Sequence, residues 1–354
     1  MSAHAISRLG APRATHVSLF AGVGMLDLAA EGEGFETLAT AEVLPFNRKV
    51  LAARFPGAKH YHDVKEVTSW RLRADTGFLG RVDLLSGGFP CQDASDAGTK
   101  LGLGGERTGL WSEFLRIIND LQPSYVIGEN VASLRSRGLD LILYDLYCAG
   151  YDVRWECIPA AYVGANHLRD RCWIMAKRVD GLGNGLQYPN EFEPLGPIWA
   201  AGFRDKLPRA GRMVKGTVYE TKPLTTVKQA RPDGRKLLPT PTKSDGTGGP
   251  GTTPKRTGGK NLRTVAKEIE GNGRLNPLYV EYMMGLPLWW TDPSVPNSQL
   301  SKALPWVTLP WVTYDGIGMT TDKNVPNRSA RIQALGNGLV PQVARVALRI
   351  LLND

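Results

Sequence analysis

One cysteine of this 354-residue chain, Cys91, lies in the segment Gly-Gly-Phe-Pro-Cys-Gln, directly after an apolar run that begins at Val82. The two glycines allow a sharp turn and Pro90 fixes its own φ angle, so we expect the thiol to project from the carboxyl end of a strand. Open α/β sheets bind their substrates at that edge. The segment therefore predicts a nucleophilic cysteine, although a lone cysteine is more often an inert residue of the core.

A carboxylate and two guanidinium groups follow at positions from which they could reach the same substrate. Glu129 ends the next predicted strand, so it should face the same crevice as Cys91. A carboxylic acid beside a thiol can donate a proton to a ring that the thiol attacks. Arg169 and Arg171 are two residues apart, so on an extended segment both side chains can point to one face. The alternatives are a helix-capping role for Glu129 and an ordinary surface pair of arginines.

The first predicted strand runs into the turn Ala21-Gly22-Val23-Gly24 and then into a helix, an arrangement that cradles nucleotide-like cofactors. Because Asp27 stands where a dinucleotide-binding loop has its third glycine, the turn does not predict pyrophosphate binding. Glu42, at the end of the second strand, could accept both hydroxyls of a ribose. Asp63, after a third short segment, could accept from an adenine amino group. A solvated loop carboxylate is the alternative for each acid.

Alternating apolar runs and amphipathic stretches between residues 17 and 176 predict a parallel sheet wrapped by helices. We predict strands over residues 17–20, 37–43, 82–86, 125–128, 151–159 and 172–177, and helices over 25–31, 46–54, 109–121 and 139–149. Apolar spacing at Val343, Val346, Ala347, Ile350 and Leu351 predicts an amphipathic last helix.

Residues 180–274 are rich in Gly, Pro, Thr, Lys and Arg, which fits either a flexible insertion or a loop-built recognition domain. Five cations of this region could contact phosphates: Lys243, Lys255, Arg256, Lys260 and Arg263. We predict a catalytic and cofactor-binding domain over residues 1–178 and a loop-rich recognition domain over residues 179–274. A return segment, residues 275–354, should bring the C-terminal helix back to complete the catalytic domain.

The composition narrows the class of protein. The formal net charge is +9, from 43 Lys and Arg against 34 Asp and Glu, and a polyanion is the simplest partner for such a surplus. No apolar run approaches the roughly 20 residues that span a bilayer, and no signal-peptide core precedes Val17, so we expect a cytoplasmic protein. The four cysteines include no Cys-x-x-Cys pair, so we expect free thiols and no metal.

Together these segments resemble the DNA cytosine-5 methyltransferases, which use S-adenosylmethionine, over most of the chain. In three places this sequence departs from the family pattern: Met25 replaces a glycine, Asn166 a proline and His167 a glutamine. The segments that match the family's motifs, in the family's order, are Ser18-Leu19-Phe20-Ala21-Gly22-Val23-Gly24, Gly88-Phe89-Pro90-Cys91-Gln92, Glu129-Asn130-Val131, Arg169 with Arg171, Leu275-Asn276-Pro277 with Met284-Gly285-Leu286-Pro287, and Gln333-Ala334-Leu335-Gly336-Asn337-Gly338.

The resemblance implies a Rossmann-like methyltransferase fold, a mostly parallel twisted sheet with helices on both faces, and a smaller target-recognition domain. It implies that Cys91 attacks C6 of a cytosine flipped out of double-stranded DNA, with Glu129 at N3 and Arg169 and Arg171 nearby, so that C5 takes the methyl group. The implied cofactor-binding residues are Phe20, Gly22, Gly24, Glu42, Asp63, Leu110 and Asn337, and Gln92 joins the five cations as a DNA contact.

Two other functions fit the same motifs. One is an RNA (tRNA) cytosine-5 methyltransferase, since one branch of the family modifies transfer RNA. The other is a non-catalytic DNA-binding relative, which the joint presence of Cys91, Glu129, Arg169 and Arg171 disfavours. A monomer is the default for an enzyme that acts on one base at a time, and a cognate restriction endonuclease is a candidate partner. The recognition sequence is not readable, because base contacts depend on docking geometry.

Overall fold

A large mixed sheet forms the centre of the computed structural model, which describes residues 13–90, 109–179, 194–199, 206–225, 236–247, 260–271, 273–300, 317–321 and 324–354. Its ten strands are β1 (Ala14–Leu19), β2 (Phe35–Ala41), β3 (Lys59–Tyr61), β4 (Leu84–Gly88), β5 (Tyr125–Val131), β6 (Tyr151–Pro159), β7 (Asp170–Arg178), β8 (Pro194–Pro197), β9 (Ala210–Val214) and β10 (Thr217–Glu220). Two further short strands, β11 (Arg274–Leu275) and β12 (Thr320–Thr321), form a separate ribbon.

The strand order is β3-β2-β1-β4-β5-β7-β6-β9-β10-β8. The first five strands of this order are mutually parallel, β7 runs antiparallel between β5 and β6, and β9, β10 and β8 continue antiparallel to one edge. Together with helices on both faces, this confirms the predicted Rossmann-like α/β class. All six predicted strands are present, with ends shifted by no more than three residues.

Helices cover both faces of the sheet. The four predicted helices each agree with an observed helix to within one residue at either end. The described helices are α1 (Met25–Gly32), α2 (Pro45–Arg54), α3 (Ser69–Thr76), α4 (Leu110–Leu121), α5 (Leu139–Cys148), α6 (Ser244–Thr247), α7 (Leu262–Glu270), α8 (Pro277–Met283), α9 (Arg328–Asn337) and α10 (Pro341–Asn353). Within the described ranges no helix is both long enough and apolar enough to cross a membrane.

Two apolar cores result from the alternation of side chains along the strands. Leu84 belongs to the core beneath α1, α2 and α7 to α10, whereas its neighbour Leu85 belongs to the core beneath α3, α4 and α5. The same alternation applies near the carboxyl end of β5, where Glu129 and Asn130 point to opposite faces of the sheet. Consecutive residues of one strand can therefore take different roles.

The last helix, α10, packs against α1 and against β7. Two residues of the predicted apolar stripe, Val346 and Ile350, are only half-buried. Ala344 and Leu348 are buried in their place. The chain end is fixed to the sheet by Asp354, whose carboxylate lies 2.9 Å from Arg154 of β6 and 2.6 Å from Arg212 of β9. The buried apolar residues of this helix are Val343, Ala344, Ala347, Leu348 and Leu351.

Parts of the region between residues 179 and 274 are built into this same body. Strands β8, β9 and β10 extend the sheet beside β6, which the Gly- and Pro-rich composition did not indicate. Further along, Leu238 donates its backbone N–H to the carbonyl of Asn166 at 2.7 Å, so residues 236–247 begin alongside the approach to β7. Helix α6 then lies against α9.

Candidate active site

The carboxyl ends of β4 and β5 and the beginning of β7 meet at one edge of the sheet. Gly88 of β4 is paired with Glu129 of β5, and Val131 of β5 is paired with Arg171 of β7. Because β7 is antiparallel to β5, its first residues lie at the edge where β5 ends. The strand that leads to Cys91 therefore ends beside Glu129, with Arg171 on the other side.

Glu129 and Arg171 form an ion pair at this edge. The Nε atom of Arg171 lies 2.8 Å from Oε1 of Glu129, whose residue is 9% exposed. On the β4 side, a Cβ atom at Gly88 would lie only 3.2 Å from Oε2, so the glycine leaves room for the carboxylate. Burial raises the pKa of Glu129, and the charges of Arg171 and Arg169 oppose that rise. The pKa of this carboxyl therefore lies above that of a free glutamate, so in its protonated form it can act as a proton donor.

Arg169 points elsewhere. It precedes β7 and has a positive φ of 31°, so it does not share the extended geometry that would place it on one face with Arg171. Its guanidinium donates to the carbonyls of Pro241 and Gly336, each at 3.2 Å, and to that of Gly338. Burial and then the charge of Arg171 lower its pKa to about 9. Arg169 therefore joins the arginine segment to the end of α9.

His167 is also an anchor in this segment. It is completely buried, and its Nε2 lies 2.9 Å from the carbonyl oxygen of Met283 in α8. Burial lowers its pKa to about 3, so the ring is neutral and Nε2 carries the hydrogen that it donates. The residue that replaces the family's usual glutamine thus ties the arginine segment to α8.

Cys91 and Gln92 lie outside the described residues, but the backbone that leads to them is described. The ring of Phe89 packs against Trp111 and Phe114, with centroid separations of 5.2 and 6.1 Å. Its carbonyl accepts a 3.0 Å hydrogen bond from Nδ2 of Asn130. The sequence names Asn130 only as part of the segment Glu129-Asn130-Val131 and predicts no role for it, although its place next to Glu129 on a strand sets it on the face opposite the acid. The hydrogen bond from Asn130 to Phe89 fixes the backbone two residues before Cys91.

A second polar site follows β1. Phe20, Gly22 and Gly24 have positive φ angles of 52°, 58° and 78°, which form the turn between β1 and α1. A Cβ atom at Gly24 would overlap the ring of Phe55, so glycine is required there, whereas a Cβ at Gly22 would have no atom within 4 Å. Gly22 therefore faces open space.

Glu42 closes this turn from the neighbouring strand. Its carboxylate accepts from the backbone N–H groups of Gly22 and Leu44, each at 2.8 Å. Burial raises its pKa, and the two backbone hydrogen bonds oppose the rise. Each carboxylate oxygen has further lone pairs, so Glu42 can still accept from a ligand in front of the turn.

The other predicted cofactor residues occupy three different elements. Asp63 is exposed, and its Oδ1 accepts the backbone N–H of Lys65 at 2.9 Å, which caps a short 3-10 helix. Leu110 is the first residue of α4 and is half-buried. Asn337 ends α9, and the loop after it lies against Met25, whose sulfur is 3.3 Å from the backbone nitrogen of Leu339.

The predicted DNA contacts are divided between described and undescribed parts of the chain. Lys243 is exposed beside α6, and Arg263 lies in the first turn of α7. Lys260 forms an ion pair with Glu268, with 2.6 Å between Nζ and Oε1. Lys255 and Arg256 are outside the described residues. In the described ranges, no three His, Cys, Asp or Glu side chains are grouped to hold a metal ion, and Cys148, Cys157 and Cys172 are free thiols.

Comparisons with known proteins bear on the whole arrangement. The chain is 31% identical over 186 residues to the type II methyltransferase M2.BsuMI of Bacillus subtilis, a match that covers 50% of this chain and 46% of that protein. It therefore spans about half the length of such curated relatives. The Entamoeba histolytica methyltransferase EhMeth has a similar fold, with a TM-score of 0.55 at 13% identity, covering 97% of this chain and 99% of the other.

The S. pombe Dnmt2 methyltransferase is also similar, with a TM-score of 0.54 at 13% identity over 96% of this chain and 99% of the other. These two structural likenesses show the fold alone. The family profile described as C-5 cytosine-specific DNA methylase matches residues 14–195, a stretch that includes β1, the approach to Cys91, and both Glu129 and Arg171. The chain belongs to the C-5 cytosine-specific DNA methylase family.

Proposed function

We propose that this protein transfers a methyl group from S-adenosylmethionine to C5 of a cytosine in double-stranded DNA. The observation that supports it most directly is the buried ion pair between Glu129 and Arg171, placed at the sheet edge where β4 leads to Cys91. An acid, a fixed cation and a thiol at one edge are what activation of a cytosine ring requires, because C5 alone is a weak nucleophile.

The proposed reaction begins with covalent addition of Cys91 to the ring. The thiolate forms a bond to C6, and the displaced electron pair makes C5 nucleophilic while Glu129 donates its proton to N3. Arg171 can stabilise the charge at O2, since its guanidinium already lies against Glu129. After C5 is methylated, loss of the C5 proton, return of the N3 proton to Glu129 and expulsion of the Cys91 thiolate restore the aromatic ring. The group that removes the C5 proton is not assigned.

The residues around the turn after β1 fit S-adenosylmethionine. When bound, this cofactor supplies the electrophilic methyl group. The space in front of Gly22 is open and would be invaded by any side chain at that position. Glu42, which accepts from the backbone N–H of Gly22, offers further lone pairs to ribose hydroxyls. The loop that follows Asn337 contacts Met25 of α1. Phe20, Gly24, Asp63 and Leu110 complete the proposed pocket.

A cytosine inside a duplex hides C6 within the base stack, so we propose that the target base is flipped out, which costs a few kcal/mol. Contacts to the DNA backbone must offset that cost. Among the described residues we propose Lys243 and Arg263 for this role, and Gln92, Lys255 and Arg256 are proposed to contribute from outside them. Lys260 already pairs with Glu268, so its contribution requires exchange of that partner.

DNA is favoured over RNA as the substrate because the matching family is the DNA methylase family. The similarity to a type II methyltransferase of Bacillus subtilis suggests a restriction-modification setting, with a cognate endonuclease as partner. A non-catalytic role is disfavoured, since the chain keeps Cys91 and the ion pair of Glu129 with Arg171. We propose a monomeric enzyme that works in the cytoplasm.

The test is nucleoside mass spectrometry with base-resolution sequencing of DNA from cells that express the intact protein or Cys91→Ser. We expect 5-methylcytosine at a restricted sequence in the first case only. Methylation by the variant would contradict the covalent route. Absence of 5-methylcytosine from DNA in both cases, with its presence in RNA from the same cells, would contradict the choice of substrate.

A further inference from the structure

The loop that follows α8 contributes one side chain to the turn between β1 and α1. Trp290 is 4% exposed, and its indole Nε1 donates a 2.8 Å hydrogen bond to the carbonyl of Val23. Val23 stands between Gly22 and Gly24, the two glycines of the proposed cofactor turn. A side chain from a distant part of the sequence therefore holds the backbone of that turn.

Phe55 packs against both the turn and Trp290. The centroids of the Phe55 and Trp290 rings are 6.0 Å apart, and the ring planes are inclined by 70°. The Phe55 ring also fills the space that a Cβ atom at Gly24 would need. Val23 is buried in the same core. The turn is therefore packed at Val23 and Gly24 and open at Gly22.

Arg54, at the end of α2, fixes the loop that carries Trp290. Its Nε donates to the carbonyl of Trp290 at 2.7 Å. The other acceptors of its guanidinium, at distances of 2.6 to 3.1 Å, are the carbonyls of Trp289, Asp292 and Val295 and Oδ1 of Asn297. All the N–H groups of this guanidinium thus serve one loop.

Glu281 of α8 fixes the same loop through its backbone N–H groups. Its carboxylate accepts from Trp289 and Thr291, at 2.7 and 2.9 Å, and pairs with Arg331 of α9 at 2.9 Å. The side chains of Glu281 and Arg331 are fully buried, so loss of either partner would leave an uncompensated charge. A loop held at so many backbone groups has little freedom, so it presents the indole of Trp290 at a fixed place.

We propose that Trp290 is a positioning residue for S-adenosylmethionine, which keeps the turn in its binding conformation through the hydrogen bond to Val23. The inference rests on the proposed cofactor. Glu42 holds the turn at the N–H of Gly22, and Trp290 holds it at the next carbonyl. Two side chains from different parts of the chain thus fix neighbouring backbone groups.

Loss of the indole donor would act on the turn itself. The buried Val23 carbonyl would have to rotate toward another partner, and the glycines on either side permit that rotation. Only a fraction of the molecules would then hold the turn as S-adenosylmethionine requires. The apparent Kd for the cofactor rises in inverse proportion to that fraction.

The test uses two substitutions that separate the donor from the bulk of the ring. Trp290→Phe keeps more of the apolar ring and removes the donor. Trp290→His buries less apolar area, but its Nε2 has the same ring position as the indole Nε1 and can donate at about pH 8, where imidazole is neutral. Trp155→Phe is the matched control. Trp155 is fully buried in the core on the other face of the sheet, and its Nε1 donates to the carbonyl of Pro208 at 3.0 Å.

Calorimetric titration with S-adenosylmethionine, without DNA, measures the affinity, and thermal melting measures the stability. We expect the Kd to rise about tenfold for Trp290→Phe, to lie closer to wild type for Trp290→His and to be unchanged for Trp155→Phe. The melting temperatures of the two variants at position 290 should rank in the opposite order, because histidine buries less apolar area. In methyl transfer, Trp290→Phe should raise KM for S-adenosylmethionine and leave kcat at saturating cofactor near wild type.

Equal Kd values for wild type and Trp290→Phe would overturn the proposal. An affinity that follows the melting temperature across the two variants at position 290 would overturn it as well, and would make the indole a core contact only. If Trp290→Phe is too unstable for calorimetry, the melting shift that S-adenosylmethionine produces takes its place. A shift as large as that of wild type would count against the proposal.

Cofactor binding is measured without DNA, so the two proposals can fail separately. A wild-type protein that binds S-adenosylmethionine in a Trp290-dependent way, yet makes no 5-methylcytosine, would retain the positioning role and lose the proposed reaction. Methylation by wild type with unchanged binding by Trp290→Phe would give the reverse result. A wild-type protein that binds no S-adenosylmethionine would overturn both proposals.

Discussion

The side-chain amide of Asn130 donates a 3.0 Å hydrogen bond to the carbonyl of Phe89, two residues before Cys91. Asn130 follows Glu129 on β5, so the strand presents the acid on one face and this amide on the other. Strand β5 therefore positions two parts of the proposed site. It holds the Glu129 carboxyl that faces Arg171, and it holds the backbone at Phe89, two residues before Cys91.

Replacement of Asn130 by alanine should impair the chemistry more than ligand binding. It leaves the buried Phe89 carbonyl without its donor, a cost of about 1–3 kcal/mol, and releases the backbone before Cys91. We expect kcat to fall at least about tenfold while KM for S-adenosylmethionine changes little. The rate at which iodoacetamide alkylates Cys91 should change in parallel. A variant that melts earlier but keeps wild-type kcat and Cys91 reactivity would show that the hydrogen bond only stabilises the fold.

The sequence predicts the part of the site that depends on strand order. Glu129 and Arg171 could be placed at one edge because each lies at an end of a strongly patterned strand. The position of Arg169 could not be predicted from the sequence. Its positive φ and its carbonyl partners at Pro241, Gly336 and Gly338 depend on segments far away in sequence. Strands β8 to β10 were missed because Gly- and Pro-rich composition carries little periodicity, and sheet edges tolerate those residues.

Glu129→Gln should slow methyl transfer and alter its pH dependence. Burial raises the pKa of Glu129, so its protonated form persists to higher pH than in a free glutamate and is lost as the pH rises through the raised value. Cys91 needs the opposite change, because its thiolate fraction grows with pH. We expect a bell-shaped profile for wild type and a flattened alkaline limb for the variant, with kcat lowered by about 10² to 10⁴.

Isothermal titration with S-adenosylmethionine is the control for this variant and should give the wild-type affinity. A loss of cofactor affinity equal to the loss of rate would indicate that Glu129 supports the structure rather than the chemistry.

Gly22→Ala should weaken cofactor binding specifically. The added methyl enters the open space in front of the turn, and the φ of 58° adds backbone strain of about 1 kcal/mol. Gly34→Ala is the matched control, because Gly34 has a φ of 95° and equally open surroundings at the far end of α1. Calorimetric titration should show at least about a tenfold rise in the Kd for S-adenosylmethionine for Gly22→Ala alone. Equal effects of the two substitutions would mean that only backbone strain is felt.

Asp27 should make the stability of the protein depend on pH. The residue is completely buried in the first turn of α1 and accepts from Ser18 at 3.1 Å, and burial raises its pKa to about 7. In the folded protein it therefore holds a proton between its ordinary pKa of 3.8 and about 7, a range in which the unfolded chain has lost it. Since the folded state holds this proton and the unfolded chain does not, the contribution of Asp27 to the free energy of unfolding falls as the pH rises through that window.

Asp27→Asn keeps an oxygen for Ser18 and removes the titration. We expect urea unfolding to show little difference from wild type near pH 4 and a more stable variant at pH 8, by about 4 kcal/mol at most. Glu36→Gln, an exposed carboxylate on β2, should leave the pH dependence unchanged. If wild type and Asp27→Asn lose stability in parallel between pH 5 and pH 8, the carboxyl is already ionised in the folded protein and must have a partner that compensates its charge.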